Sequence, residues 1–394
     1  MGKSSMELKN PSLSRFYFDH ATYTPYFHSV KNCLIEKLDE PFIENRPLYA
    51  SDAQLEKELL SAYKTLRSFF SSKEKDAILF ASSYHEAIKT VYATHLEKII
   101  KETGKNHIFY LAFERQEMLI ALKDLEKQGC IIEEIPLLPS GLLDIEELKK
   151  KINPKTSLIT LSWAHPQTGV IQPLEELYDL VIKEQIHLHL DATSVLGKIF
   201  FRFEDTACHY LTMNPVEMGG PYPLGVIVMK YQHQLKDLHN KIFTDSNSKS
   251  FAKLFAFTHL CYEIMQMTDE FFFEMPLVKE AFEKGITQKI KGAKILFSTK
   301  ERLQSHSVIY FPNVHQEMML YFLSQKNIFA SIGFSSDFSL FNTLLKMGVD
   351  PIEAKSALSF SFSCKTLEAD VLEAIEEIAK TYQDLMKFSA AKVR

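Results

Sequence analysis

The run His187-Leu-His-Leu-Asp191 sets two imidazoles and a carboxylate at alternate positions. In an extended strand alternate side chains share one face, so the three would project together, and imidazole with carboxylate is a donor set that binds divalent metals. The spacing is not specific to a metal site, and no metal ligand is assigned from it. A second stretch, Gly219-Gly-Pro-Tyr-Pro-Leu-Gly225, is glycine-rich but lacks the Lys-Ser/Thr pair that completes a nucleotide-binding loop. It reads as a turn between two strands. Cys33, Cys130, Cys208, Cys261 and Cys364 are widely spaced, without a Cys-x-x-Cys pair. They read as reduced, mostly buried thiols of a cytoplasmic protein.

Such residues need a scaffold, and the hydrophobic pattern supplies one. Between about residues 75 and 230, short β-rich runs alternate with amphipathic helical stretches, as βαβ units do. The strand candidates are 77–80, 107–112, 131–137, 157–163, 186–192, 210–214 and 225–230. Helical stretches at 114–129 and 173–185 lie between them, the second with Pro173 at a favoured first helical position. The expectation is an α/β fold, a mainly parallel sheet with helices on both faces. Beyond residue 251 the pattern changes to long helical runs at 251–275 and 368–388, with strands at 307–312 and 356–363. This predicts an arm at 1–15, a large α/β domain at 16–250 and a smaller α+β domain at 251–394, with the polar run 244–250 as the boundary loop. The phenylalanine-rich runs near 251–274 suit core packing.

With 394 residues, 46% hydrophobic and 24% charged, the composition is that of an ordinary globular protein. The net charge of −5 and the absence of a Lys/Arg block give no nucleic-acid footprint. The first ten residues lack the apolar core of a secretory signal, and Met6 breaks the myristoylation pattern. No apolar run has the length of a membrane span. A cytoplasmic protein without nucleic-acid or membrane partners is expected.

Seven segments in order resemble the class V aminotransferase family, and within it the cysteine desulfurases. "YFDHATYTP" (17–25) resembles Asp-Asn-Ala-Ala-Thr-Thr-Pro, "ILFASSYHEAI" (78–88) Phe-Thr-Ser-Gly-Ala-Thr-Glu-Ser, and "LAFERQEML" (111–119) Glu-His-Pro-Ala. "SWAHPQTGVIQPLEEL" (162–177) is similar to Asn-Asn-Glu-x-Gly-x-x-x-Pro, "HLHLDATSVLGKI" (187–199) to His-x-Asp-Ala-x-Gln-x-x-Gly-Lys, and "LTMNPVEMGGPYPLG" (211–225) to Ser-x-His-Lys-x-Gly-Gly-Pro-x-Gly. "SALSFSFSCKTLEADV" (356–371) resembles Ser-Ile-Arg-Phe-Ser and the helix after it. The resemblance implies the three-layer fold type I of pyridoxal phosphate (PLP) enzymes, a small C-terminal domain, and a homodimer with sites at the subunit interface.

It also implies five functional groups: a Schiff-base lysine, a carboxylate for the pyridine nitrogen, phosphate donors, a group on the ring, and an arginine for the substrate carboxylate. Asp191 matches the carboxylate. Glu217 falls at the lysine position, Val216 at the histidine before it and Asn214 at the phosphate-binding serine. His85 stands for the phosphate-binding threonine, Ser83 for its glycine and Ser194 for the glutamine after the aspartate. Arg115 stands for the ring-stacking histidine, His165 or Pro166 for the asparagine at the ring hydroxyl, and Ser359 for the substrate arginine. The persulfide loop aligns with 331–339, which has no cysteine and places Ser336 near the nucleophile position. Lys198 and Lys230 are other lysines and do not replace residue 217. His189 corresponds to a histidine the family already has, so inheritance explains it better than metal ligation.

A carboxylate forms no imine with an aldehyde, and serine is a poorer sulfur acceptor than cysteine. These departures predict a non-catalytic paralogue, a binding or regulatory subunit that pairs with itself or with an active relative, in which PLP is not held covalently. The alternatives are a desulfurase or aminotransferase with an atypical site, and a pocket repurposed for a metal or small anion through Arg115, His85 and His165. Asp191 without a pyridine needs another partner, since a buried unpaired carboxylate is costly. A pair between Arg115 and Asp191 or Glu217 is therefore expected.

Overall fold

The computed structural model describes residues 15–39, 50–231, 248–333 and 338–391. Its strands are β1 (Phe16–Tyr17), β2 (Ala77–Ala81), β3 (His107–Tyr110), β4 (Ile131–Glu134), β5 (Thr156–Ser162), β6 (His187–Asp191), β7 (Tyr210–Met213), β8 (Gly225–Met229), β9 (Lys294–Leu296), β10 (His306–Tyr310), β11 (Ile328–Phe329) and β12 (Ala357–Ser361). A seven-stranded sheet has the order β2-β8-β7-β6-β5-β3-β4. Strands β4, β3, β5, β6 and β7 run parallel, and β8 is antiparallel to both neighbours. The mainly parallel α/β sheet read from the sequence is present.

Both faces of this sheet are covered, which explains why its strands are apolar at successive positions. In β8, Val226 and Val228 enter the largest core cluster, while Ile227 and Met229 enter the cluster on the other face with Ala87, Ile88 and Met118. The helix Tyr84–His95 packs on that second face, capped by Ser83, whose hydroxyl accepts from Glu86 N. Its approach to the sheet depends on Gly225, where a Cβ would lie 2.4 Å from the Ser83 carbonyl oxygen.

A three-stranded antiparallel sheet, β12-β10-β9, carries the later part of the chain, and β1 pairs in parallel with β11. Phe18 packs at a tilt against Phe282 and Phe362, so the segment after β1 is anchored in the core.

Three local expectations change. Pro173 is the N-cap of helix Leu174–Glu184 and lies outside its first turn. The helical run at 251–275 is interrupted at Met267, separating helix Ser248–Gln266 from the turns leading into Met275–Lys289. The run 244–250 is not wholly a loop, because Ser248–Ser250 begin that helix; 244–247 lie outside the described residues. Serine is a common helix starter, which the turn-rich composition conceals.

Candidate functional site

The C-terminal ends of parallel strands gather side chains from distant parts of the sequence. Asp191 ends β6, Arg115 follows β3, and Glu217 lies in the 3-10 turn Pro215–Met218 after β7. Arg115 Nε donates to Asp191 Oδ2 at 3.0 Å, and its Nη2 donates to Glu217 Oε1 at 2.5 Å and to Ser194 Oγ at 2.8 Å. Ser194 Oγ in turn donates to Glu217 Oε1 at 3.2 Å. Lys198 Nζ donates to the other oxygen, Glu217 Oε2, at 3.3 Å. The expected arginine pair is therefore made with both carboxylates at once.

Backbone geometry holds this network in place. Thr193 donates through N and Oγ to Asp191 Oδ1, and its Oγ accepts from Asn214 N, tying the end of β6 to that of β7. Thr24 clamps the turn from the other side, with its Oγ on Glu217 O and its N on Val216 O. Gly219 closes the turn at φ +69°, where a Cβ would lie 2.5 Å from Pro25 O. A side chain there would push away the segment that carries Thr24.

Burial makes the electrostatics strong. The Asp191 and Glu217 side chains are 1% and 0% exposed, and Lys198 is 4% exposed. Burial pushes the Asp191 carboxyl up, with Arg115 and the Thr193 hydrogen bonds opposing. Burial pushes the Lys198 ammonium down, with Glu217 opposing and Arg115 adding to the fall. For Arg115 burial disfavours the charge, but Glu217 and Asp191 outweigh it and hold the guanidinium protonated. Two cations thus face two carboxylates in a dry setting, where breaking a pair is costly.

Glu114 is a further member that sequence reading missed. It is buried and accepts from Ser162 N at 2.7 Å, with Ser162 Oγ 2.5 Å from its other oxygen. Burial pushes its carboxyl to about 8 despite those bonds, and Asp191 adds to the rise. Tyr84 is also buried, with a hydroxyl that has no hydrogen-bond partner, and burial followed by the charge of Asp191 holds the phenol far above its usual value.

The remaining candidates do not join the network. His165 is buried, but its Nδ1 accepts from Gln167 N and Thr168 N, so it shapes a turn. Burial, with Arg115 adding, lowers it to about 3. His85 sits half-buried in the first turn of helix Tyr84–His95 and makes none of the contacts that join Arg115, Asp191, Ser194 and Glu217. The Asn214 side chain accepts from Val216 N and caps its turn. Ser359 on β12 donates to Gln167 O at 2.6 Å. Ser336 lies outside the described residues.

The alternation in β6 places His189 between two hydroxyls, Nδ1 at 2.7 Å from Thr160 Oγ1 and Nε2 at 2.8 Å from Thr212 Oγ1. Both ring nitrogens are used. Among the described residues no group of three or more His, Cys, Asp and Glu is placed to hold a metal ion. No helix among them is long and apolar enough to cross a membrane.

The sequence model of the class V aminotransferases matches residues 16–245. The chain belongs to the class V aminotransferase family. It is 24% identical over 389 residues to "Cysteine desulfurase IscS" of Clostridium botulinum, covering 94% of this chain and 95% of that protein. Among solved structures it resembles a "NifS-like protein", with a TM-score of 0.80, 21% identity, and coverage of 94% of this chain and 100% of the other. The apo cysteine desulfurase of Thermococcus onnurineus NA1 matches with a TM-score of 0.77 at 16% identity, over 94% and 95% of the two chains. These likenesses make the fold that of fold type I PLP enzymes.

The family's cofactor can be tested against these residues. A pyridine ring ion-paired to Asp191 and linked toward residue 217 would lie between the two carboxylates. The Arg115 guanidinium fills that span, hydrogen-bonded at both ends. Glu217 offers no amine. With Arg115 so placed, the residues do not fit PLP held in the family's manner.

Proposed function

We propose that this cysteine desulfurase-like chain is a non-catalytic paralogue that acts as a binding or regulatory subunit, pairing with itself or with an active relative. The observation that carries the reading is the bridge from Arg115 to both Asp191 and Glu217. A guanidinium remains charged at any physiological pH and satisfies both carboxylates. It replaces, within the chain itself, the charge balance that a bound cofactor would supply. The loss of the lysine at residue 217 removes the means of covalent attachment.

A second reading is desulfuration or amino-group transfer with an atypical site. It is favoured by likeness along nearly the whole chain to proteins named cysteine desulfurase.

Absorbance and thermal unfolding with and without added PLP separate the two. A ligand at a hundredfold excess over its dissociation constant stabilises the folded state by about 2.7 kcal/mol. The non-catalytic reading expects no rise in melting temperature and no imine band at about 410–430 nm. A borohydride-sensitive band in that range would establish the second reading instead.

A further inference from the structure

Helix Gln116–Lys127 buries one stripe of side chains and leaves another open. Met118, Ala121, Leu122 and Leu125 are buried, whereas Leu119 and Ile120, one turn before Lys123, fall on the opposite side of the helix. Ile120 is 42% exposed, an apolar side chain without full cover. Helix Leu340–Lys346 faces this open stripe, and between the two lies a groove of about 270 Å³. That is slightly under the usual range for drug-sized ligands, about 300–1,000 Å³, and suits roughly ten non-hydrogen atoms.

Apolar and cationic groups line the groove, and no acidic side chain does. Phe113, Leu119, Ile120 and Phe338 give it apolar walls, and Lys123 and Lys346 give it two ammonium groups. Both lysines are exposed, and neither has a carboxylate partner among the described residues. Lys346 Nζ donates to Ala112 O at 2.7 Å, one bond for three donors. Two like charges on one groove repel, and a bound anion relieves both. The walls are held from behind. The Phe113 ring meets the His165 ring edge-on at 4.9 Å, and Phe338 O accepts from Gln167 Nε2 at 2.8 Å.

We propose that this groove binds a small aryl carboxylate, with its ring against Phe113, Ile120 and Phe338 and its carboxylate toward Lys123 and Lys346. Aromatic walls favour a ring over a flexible chain, through edge-on and offset contacts. A single carboxylate suits exposed lysines beside apolar walls, because a more highly charged head would lose more hydration on entry. Ala112, Phe113 and Gln116 of the lining flank Glu114 and Arg115 in the chain. An occupied groove therefore rests against the segment that bears the Arg115 bridge. The bridge itself takes no part in binding, so the inference stands whether or not a cofactor binds there.

The test is calorimetric titration of the full chain with phenylacetate and with its uncharged isostere phenylacetamide. Phenylacetate is expected to bind saturably, with a dissociation constant of about 1 mM or tighter. Phenylacetamide should bind about fivefold more weakly, the effect of losing partly exposed charge pairs. Ile120→Glu, a change at an exposed position, sets a carboxylate in the groove and should weaken phenylacetate at least about tenfold. Lys123→Gln should weaken phenylacetate about threefold and leave phenylacetamide unchanged. Unsaturable binding, equal affinity for acid and amide, or equal binding of phenylacetate by wild type and an Ile120→Glu protein that melts like it overturns the proposal. So does a dimer in sedimentation that binds no phenylacetate and that Ile120→Glu dissociates, which would make the groove a contact between copies of this chain.

Discussion

Arg115 Nη2 and Glu217 Oε1 lie 2.5 Å apart although 102 residues separate them in the chain. This contact joins the loop after β3 to the turn after β7, and the same guanidinium reaches Asp191 at the end of β6. The arginine therefore joins the carboxyl ends of three interior strands of the sheet.

Arg115→Met is expected to destabilise the protein by roughly 3–5 kcal/mol, because it leaves two buried carboxylates without their shared cation. Arg115→Lys should recover only part of this, since an ammonium cannot serve both carboxylates in the fork geometry. Equilibrium unfolding in urea measures the difference. Equal stability of the wild type and Arg115→Met would show that the bridge contributes nothing.

Glu114 gives a second expectation, in the alkaline direction. Its carboxyl is raised to about 8 in the fold, mainly by burial, from an ordinary value near 4.5. The folded state keeps a proton that the unfolded chain has already lost, so this contribution is present below about pH 4.5 and is lost as pH rises to about 8. Glu114→Gln keeps the size and a donor for Ser162, and should raise stability by about 2 kcal/mol at pH 9 with little effect at pH 4. A pH-independent difference would reject the assignment.

The opposite sign applies at the amino ends of β6 and β7, the reverse side from Asp191. His187 Nδ1 lies 3.3 Å from His95 Nδ1, and the His187 and His209 rings are 4.3 Å apart. Burial lowers His187 to about 4, with Lys105 adding to the fall, and lowers His209 to about 3, with His187 and Lys230 adding. The unfolded chain takes up protons below about pH 6.5, whereas the folded cluster stays neutral until about pH 4, so stability falls across that window. His187→Gln should make the fall in melting temperature between pH 6.5 and pH 4 shallower by the share of one histidine, checked by thermal scans in buffers of constant ionic strength. An unchanged slope would place the titration elsewhere.

Gly225 tests the scaffold. A Cβ there would meet the Ser83 carbonyl oxygen at 2.4 Å and Ala87 Cβ at 2.6 Å. Gly225→Ala must push helix Tyr84–His95 from the sheet, at a cost of about 1–3 kcal/mol as in other overpacked cores. Denaturant titration reads this directly, and a neutral result would mean that the helix shifts freely.

The sequence by itself determined the layers and one side of the site. Apolar runs such as Gly225–Met229 with amphipathic stretches between them dictate strands covered on both faces, because only that arrangement buries successive side chains. The strand-end Leu190-Asp191-Ala192 and the Gly219-Gly220-Pro221 turn mark where Asp191 and Glu217 fall, and the need to neutralise a buried Asp191 points to Arg115. What only the tertiary structure decided is how these charges are shared. Lys198 reads in sequence as the other lysine of its motif, and Glu114 as one more helix-end acid, yet folding sets one against Glu217 and the other against Ser162. His85 and His165 carry suitable chemistry, but one sits in the first turn of a helix and the other is bonded to a backbone turn. The physical reason is that strand periodicity fixes which face a side chain takes, a local property, whereas burial and pairing depend on which strand ends become neighbours, a property of the sheet order alone.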